Sequence, residues 1–239
     1  MKTHLLAWCG ALTLGVAVAP LSHSETPATA AEEQLIVYKF PPDPGPSLRI
    51  DARVRGAPGD SPALYMLAPP HAGLTTKAQP SIFWYLSKPV QTRVELAIVQ
   101  EKKIIPIFDV KVGDAGKAGV QRFRLADHHI KLEPGIEYRC SVALVLNEES
   151  RSKDVVASCV VKRIEPLSSL KARLADARPS EAAFIYASEG IWFDAMESLA
   201  ELIEANPDNG KFRRQRSALL DQVQLADAAA YDAKLASNK

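Results

Sequence analysis

Residues 75–77 of this 239-residue sequence carry side chains that could bind a ligand. Thr75, Thr76 and Lys77 lie between a proline-rich turn and an aromatic run. Their two hydroxyls and one ammonium group could hold an anionic or sugar-like ligand at the end of a domain, where binding loops collect. Threonine is also common in strands and at turns, so an ordinary structural role is the alternative.

A second candidate is a cluster of basic residues at the predicted start of a helix. The cluster consists of Lys211, Arg213, Arg214 and Arg216. Cations at a helix N-terminus oppose the helix dipole by about 0.3 to 1 kcal/mol, so helix stability does not explain them. They form either a solvated helix face or a docking site for an acidic partner segment.

No set of residues in the sequence predicts a reaction. The sequence contains no Gly-x-Ser-x-Gly elbow, no phosphate-binding glycine loop and no dinucleotide fingerprint. His128 and His129 are adjacent, but neighbouring side chains of an extended segment point to opposite faces, which does not suit a shared metal. We therefore expect a non-catalytic protein without a catalytic residue, a metal or a cofactor.

The charge balance and the N-terminus restrict the partners and the compartment. Lys and Arg number 29 against 28 Asp and Glu, so the strong positive field of nucleic-acid binders is absent. Lys2 precedes an apolar run over residues 5–19, which is the layout of a secretory signal peptide. We expect residues 1–24 to be removed, a periplasmic or secreted product in a Gram-negative-type envelope, and no membrane span after cleavage.

Strand patterns dominate residues 63–163. Short runs rich in β-branched and aromatic residues occur at residues 64–67, 81–86, 94–99, 104–112, 120–125, 138–146 and 155–161. Seven short strands predict an antiparallel β-sandwich of the fibronectin III or immunoglobulin type. Residues 25–62 are rich in proline, which predicts an extended, partly disordered leader.

Two aromatic residues indicate how that sandwich is built. Tyr138 follows Pro134 and Gly135 and precedes Cys140, a spacing that resembles the tyrosine corner of immunoglobulin-like domains. In that corner the tyrosine hydroxyl bonds to nearby backbone. Trp84 lies within an aromatic run and is expected to be a core residue of an early strand.

The period becomes helical over residues 164–239, which we expect to form a small bundle. One set of small and aromatic residues has the spacing of a tetratricopeptide repeat and should form the seam between two antiparallel helices. The set is Ala183, Tyr186, Gly190, Ala195 and Leu199. One repeat and a shortened second are fewer than the three that a free-standing array needs, so the helices must pack on the sandwich or on a partner.

Four blocks of the sequence resemble the bacterial domain-of-unknown-function 928 family, DUF928. The blocks are residues 55–59, residues 67–70 with 73–85, residues 132–142 and residues 190–195. The resemblance implies an exported bacterial protein without an established activity, and it transfers no catalytic residue. Cys140 departs from the family, which often has an aromatic residue at that position.

These observations predict an exported, non-catalytic protein that holds a protein partner or another component of the envelope, with the helical concavity as the contact surface. A ligand-binding sandwich that uses residues 75–77 is the alternative, and a cryptic hydrolase is the third hypothesis. No nucleic-acid partner is expected, and the oligomeric state stays open.

Cys140 and Cys159 are predicted to form a disulfide. A hairpin that turns between Glu149 and Ser150 places the two cysteines directly opposite each other, and an exported compartment permits the bond. The bond would stabilise the fold by about 3 kcal/mol, and two buried free thiols are the alternative. Mass spectrometry of denatured, unreduced protein should find no alkylated thiol at these positions, whereas two alkylated thiols would exclude the bond.

Overall fold

Nine strands and five helices make up the described part of the chain, residues 35–43, 45–53, 62–101, 103–112 and 116–237 of a computed structural model. The strands are β1 (Ala52–Arg53), β2 (Ala63–Met66), β3 (Gly73–Thr75), β4 (Ser81–Leu86), β5 (Arg93–Gln100), β6 (Phe108–Val112), β7 (Gly119–Arg124), β8 (Glu137–Val145) and β9 (Val155–Arg163). The helices are α1 (Ser168–Ala175), α2 (Pro179–Ser188), α3 (Trp192–Ala205), α4 (Gly210–Gln222) and α5 (Ala226–Ser237). The predicted signal peptide and the block at residues 55–59 lie outside the described residues.

The strands form two sheets, which confirms the prediction of a β-rich part followed by helices. The four-stranded sheet has the order β1-β2-β4-β7, and the five-stranded sheet has the order β3-β9-β8-β5-β6. Neighbouring strands are antiparallel except β3, which pairs with β9 in parallel. Apart from this pair, the antiparallel pairing predicted for the sandwich is observed. Strand β3 was not predicted, because its three residues are too few to give a periodic signal.

Strand β4 is buried along its whole length because both faces of the four-stranded sheet are covered. Its six residues, Ser81–Leu86, are all buried. One face carries Trp84 toward the five-stranded sheet, where the neighbouring strand's Phe123 contacts Phe108 of β6. The other face lies under the helices, as shown by the ring contact between Tyr85 and Tyr231 of α5. The fold therefore has three layers: the helices, the four-stranded sheet in the middle, and the five-stranded sheet.

The predicted strand over residues 104–112 is shorter in the structure. Strand β6 begins only at Phe108, and the isoleucines before it are exposed. Pro106 lacks the amide hydrogen that a paired strand residue donates, which accounts for the late start.

Tyr138 lies at the beginning of β8 with its side chain buried. The backbone N–H of Glu133 donates to the Tyr138 hydroxyl at 3.0 Å, which ties the preceding loop to the strand. This local bond matches the one that defines a tyrosine corner.

The helices form two consecutive antiparallel hairpins, α2–α3 and α4–α5. In the first hairpin Ala183, Ala195 and Leu199 are fully buried and Tyr186 is half-buried. Gly190 connects α2 to α3 with a φ of +75°, and a Cβ there would lie 2.9 Å from the Lys39 carbonyl oxygen. Glycine is therefore required at this turn for both its conformation and its size.

Part of the segment expected to be an extended, partly disordered leader contributes to the core. We call residues 35–40 the N-terminal strap; Ile36 and Tyr38 are buried, and Leu35 and Val37 are exposed. The strap lies along α4, because Ile36 N–H donates to the Gln215 side chain at 2.8 Å. The proline-rich composition obscured this alternation of buried and exposed residues. The strap has the extended backbone that was predicted, and its packing on the helices was not predicted.

The strap gives a paired test of this packing. We expect Ile36→Ala to lower the free energy of unfolding by about 2 to 4 kcal/mol, because the isoleucine is 1% exposed. Val37→Ala should change it by less than about 0.5 kcal/mol, because that side chain is 70% exposed. Urea unfolding of both variants measures the difference, and equal effects would show that the strap does not pack as described.

Candidate functional site

The hydroxyl and amide groups of the loop at residues 75–77 contact helix α3. The Thr76 backbone N–H and hydroxyl both donate to the Asp194 carboxylate, the hydroxyl at 2.5 Å. The Thr75 hydroxyl accepts the Lys77 backbone N–H at 3.1 Å. Asp194 is 0% exposed, so the loop encloses a carboxylate of its own chain.

Arg122 extends this contact along the same face of α3. Its guanidinium lies 2.9 Å from the Glu197 carboxylate and also reaches Glu201 and Glu204, one and two turns further along the helix. Lys77 joins the group with its ammonium 3.4 Å from Glu197. The cluster ties β7 and the loop after β3 to a single helix, which is a docking role within the chain.

Burial controls the protonation of Asp194. Loss of hydration raises the pKa of this carboxyl from its ordinary value of 3.8, and the hydroxyls of Thr75 and Thr76 and the charge of Lys77 offset part of the rise. Asp194 therefore has the burial and the raised pKa of many functional carboxyls. Its donors come from the fold itself, which favours a structural role.

The basic cluster at residues 211–216 divides into two pairs of residues with different surroundings. Arg216 is buried and makes two bonds to the Asp232 carboxylate of α5, at 2.6 and 2.8 Å. Arg213 also approaches Asp232, at 3.6 Å. These two arginines hold α4 against α5. Lys211 and Arg214 are the exposed members of the cluster.

Arg214 lies on the rim of an apolar depression, which we call the α4–α5 groove. Its volume is about 710 Å³. One wall is the N-terminal strap, with Leu35 53% exposed, and the other walls are α4 and α5. The α5 side consists of alanines, namely Ala226, Ala229, Ala230 and Ala233. Small side chains leave room for another chain to approach the helix backbone closely.

The strap and the outer alanines of this groove were not predicted from the sequence. A signal for them is present in the sequence. Helix α5 carries alanine on its buried and its exposed sides, as in Ala229 and Ala230, so part of its exposed side is apolar. The alternation in the strap was the second available signal.

Cys140 and Cys159 are direct partners on β8 and β9, and both side chains are buried. Opposed residues of a hydrogen-bonded antiparallel pair have Cα atoms about 5.5 Å apart, within the range of a disulfide. The thiols are unbonded in the structure, and burial raises the pKa of Cys159 to about 12. The disulfide thus stays a prediction.

No group of three or more His, Cys, Asp or Glu side chains in the described ranges is arranged to hold a metal ion. His128 instead stacks on Phe123 with ring centroids 4.4 Å apart. In the same part of the chain no helix has the length and apolar character needed to cross a membrane.

One family model spans most of the features described above. The family model described as Domain of Unknown Function (DUF928) matches residues 50–232, from just before β1 into α5. The chain belongs to the DUF928 family. The family region of this DUF928 protein therefore includes both sheets, the Asp194 contact and most of the α4–α5 groove, while the strap precedes it.

Other comparisons with the DUF928 protein add little. No curated protein matches it. A crystal structure of an engineered protein at 1.98 Å resolution is 11% identical, covers 45% of this chain and 21% of its own, and has a TM-score of 0.31. A likeness at this level carries no argument about fold or function.

Two substitutions at Asp194 separate its hydrogen bonds from its charge. Asp194→Ala leaves both Thr76 donors without an acceptor and opens a void, so we expect a loss of about 2 to 4 kcal/mol in the free energy of unfolding. Asp194→Asn keeps an accepting oxygen and removes the buried charge, so its loss at neutral pH should be about 1 kcal/mol or less. Urea unfolding measures both values.

The pH dependence of the Asp194→Asn effect has a defined sign. Because the folded pKa is raised, the contribution of the protonated carboxyl is complete below the unfolded pKa of 3.8 and is lost as the pH rises through the folded value. Asp194→Asn should therefore become more stable relative to the unmodified protein as the pH is raised from about 4 toward neutrality. A difference that stays constant over this range would exclude a raised pKa.

Proposed function

We propose that this DUF928 protein is exported, is non-catalytic, and holds a protein partner of the bacterial envelope in the α4–α5 groove. The observation that carries the proposal is the open apolar face of α5. Ala226, Ala230 and Ala233 remain exposed beside the exposed strap residues Leu35 and Val37. A contiguous apolar surface of this kind, with polar residues on its rim, is typical of a contact surface for another protein.

The rim of the groove indicates the chemistry of the partner. Arg214 and Asp221 both line it and lie seven residues apart on α4, which is two helical turns or about 10 Å. A complementary segment carries a carboxylate that meets Arg214, a cation that meets Asp221, and apolar side chains between them. This refines the acidic segment expected from the sequence, because Arg214 is the member of the basic cluster that lines the groove.

The helical hairpins support a tetratricopeptide-like use of this region. Each hairpin buries small residues between its helices, Ala183 and Ala195 in the first and Ala229 in the second. Close helix pairing of this kind creates concave surfaces that bind extended or helical segments of other proteins. Both hairpins pack on strands, through α3 and α5, and in the second hairpin the outer side of α5 stays exposed.

Export is part of the proposal because of the N-terminal pattern at Lys2 and residues 5–19. The ligand-binding alternative at residues 75–77 has less support from the structure than from the sequence alone, since Asp194 accepts hydrogen bonds from both donors of Thr76. Neither that loop nor the remainder of the sequence supplies a motif for the cryptic hydrolase.

Site-specific photo-crosslinking in the native bacterium tests the proposal. A photoreactive amino acid that replaces Ala230, in the groove, should give one defined adduct with an envelope protein. The same amino acid in place of Ala172, an exposed alanine of α1, is the matched control and should not give that adduct. The same adducts from both positions, or none from Ala230, would exclude the groove as a docking site.

A charge reversal tests the predicted chemistry of the partner. Arg214→Glu should reduce the adduct formed at position 230 by about tenfold, because it places like charges in contact. Lys171→Glu, on the exposed face of α1, should leave the adduct unchanged. Thermal unfolding of both variants checks that the effect does not come from loss of the fold.

A further inference from the structure

Strand β6 is an end strand with one free edge. It pairs with β5 on one side, and among the described residues no strand pairs with its other side. A free edge presents unpaired backbone donors and acceptors that can bind another strand. This surface lies on a different element from the α4–α5 groove, so the inference does not depend on the proposed function.

The hydrogen-bond pattern shows which backbone groups face the free edge. Glu101 N–H donates to the Glu137 carbonyl at 2.8 Å, so odd-numbered residues of the β5 ladder bond β8 and even-numbered residues bond β6. Leu96 lies opposite Val110, so the even-numbered residues of β6 make these bonds. The N–H and C=O groups of Asp109 and Lys111 therefore point away from β5, toward the free edge.

We propose that a second copy of this chain pairs antiparallel along β6, with the two-fold axis at Val110. Asp109 of each copy then lies opposite Lys111 of the other, and the outward backbone groups of these residues make four hydrogen bonds across the axis. Both side chains are exposed and lie on the same face of the sheet. The pairing joins the two five-stranded sheets into one of ten strands.

Charge complementarity selects this register. An axis at Asp109 would place the two copies of Asp109 opposite each other, and an axis at Lys111 would do the same for the two copies of Lys111. An axis between two residues would pair an outward-facing backbone with an inward-facing one, so the ladder could not form. The axis at Val110 is the arrangement of the strand that opposes unlike charges at both positions.

An apolar patch beside the edge adds to the surface. Ile104 is 94% exposed, Ile105 is 80% exposed, and Ile107 is half-exposed, immediately before β6. Exposed apolar side chains grouped in this way are typical of association sites. A five-residue strand buries less area than a standard interface, so the dimer should be weak and its population should depend on concentration.

Sedimentation velocity of the purified protein from about 1 µM to about 500 µM measures this equilibrium. We expect a monomer at the low end and a dimer at the high end. Asp109→Lys places two like-charge pairs in the interface and should raise the dissociation constant at least about tenfold. The charge swap Asp109→Lys with Lys111→Asp should restore it to within about threefold. A monomer at every concentration, or a dimer insensitive to Asp109→Lys, would overturn the proposal.

Cysteine cross-linking tests the register independently of these charges. The Lys111→Asp change in the charge swap also places an aspartate opposite Glu95 of the same chain. Thermal unfolding must therefore show that the swapped variant stays folded. In a Cys9→Ser background, Val110→Cys should form a disulfide-linked dimer on mild oxidation, because residue 110 meets itself on the axis. Asp109→Cys and Lys111→Cys should not, although both positions are more exposed. Equal cross-linking at all three positions would show random collision and overturn the proposal.

Discussion

A buried carboxylate that needs donors holds the helices to the strands. Asp194 lies in the first turn of α3 with no exposure to water, and the donors of Thr76 satisfy it. The same helix then presents Glu197 to Arg122 of β7. Because the contact uses the loop after β3 as well as a sheet strand, α3 fixes both sheets at once. The loop that carries Thr75 is thereby an internal support.

That support explains why only part of the helical region is exposed. Helix α3 buries its apolar face on the four-stranded sheet, where the Trp192 indole also donates to the Leu67 carbonyl at 2.8 Å. The second hairpin is held by the buried Arg216–Asp232 pair and is crossed by the strap. The strap covers α4 along one side and leaves the outer alanines of α5 uncovered. The groove is thus an apolar part of the bundle that the described residues leave uncovered.

The edge strands of the two sheets differ in what covers them. Helix α3 contacts β3, and an isolated bridge between Ile50 and Ser158 links the region of β1 to β9. Helix α5 contacts β7, where Gly119 leaves space for the Tyr231 ring. Strand β6 has no such cover in the described ranges, and it combines alternating charges with an adjoining apolar patch. Charged residues on an edge strand can either prevent pairing with another strand or favour it. In β6 the register that places Asp109 opposite Lys111 favours pairing, because the opposed charges are unlike.

The sequence by itself determined the elements whose patterns are local. The seven main strands, the change to helices and the opposition of Cys140 and Cys159 all follow from periodicity and from the symmetry of one hairpin. The DUF928 resemblance was also evident from short blocks. Strand β3 was not predicted, because three residues are too few to show a periodic pattern. The late start of β6 was not predicted either, because the apolar run begins at Ile104 although Pro106 interrupts the strand.

Only the tertiary structure decided which faces meet. Thr76 and Asp194 are 118 residues apart, and Ile36 and Gln215 are 179 residues apart. Periodicity shows that a side chain faces a core, but it does not show which distant group satisfies a buried carboxylate or amide. The role of each basic residue at positions 211–216 was undetermined for the same reason: Arg216 turns to Asp232 and Arg214 to the groove, although the two are only two residues apart.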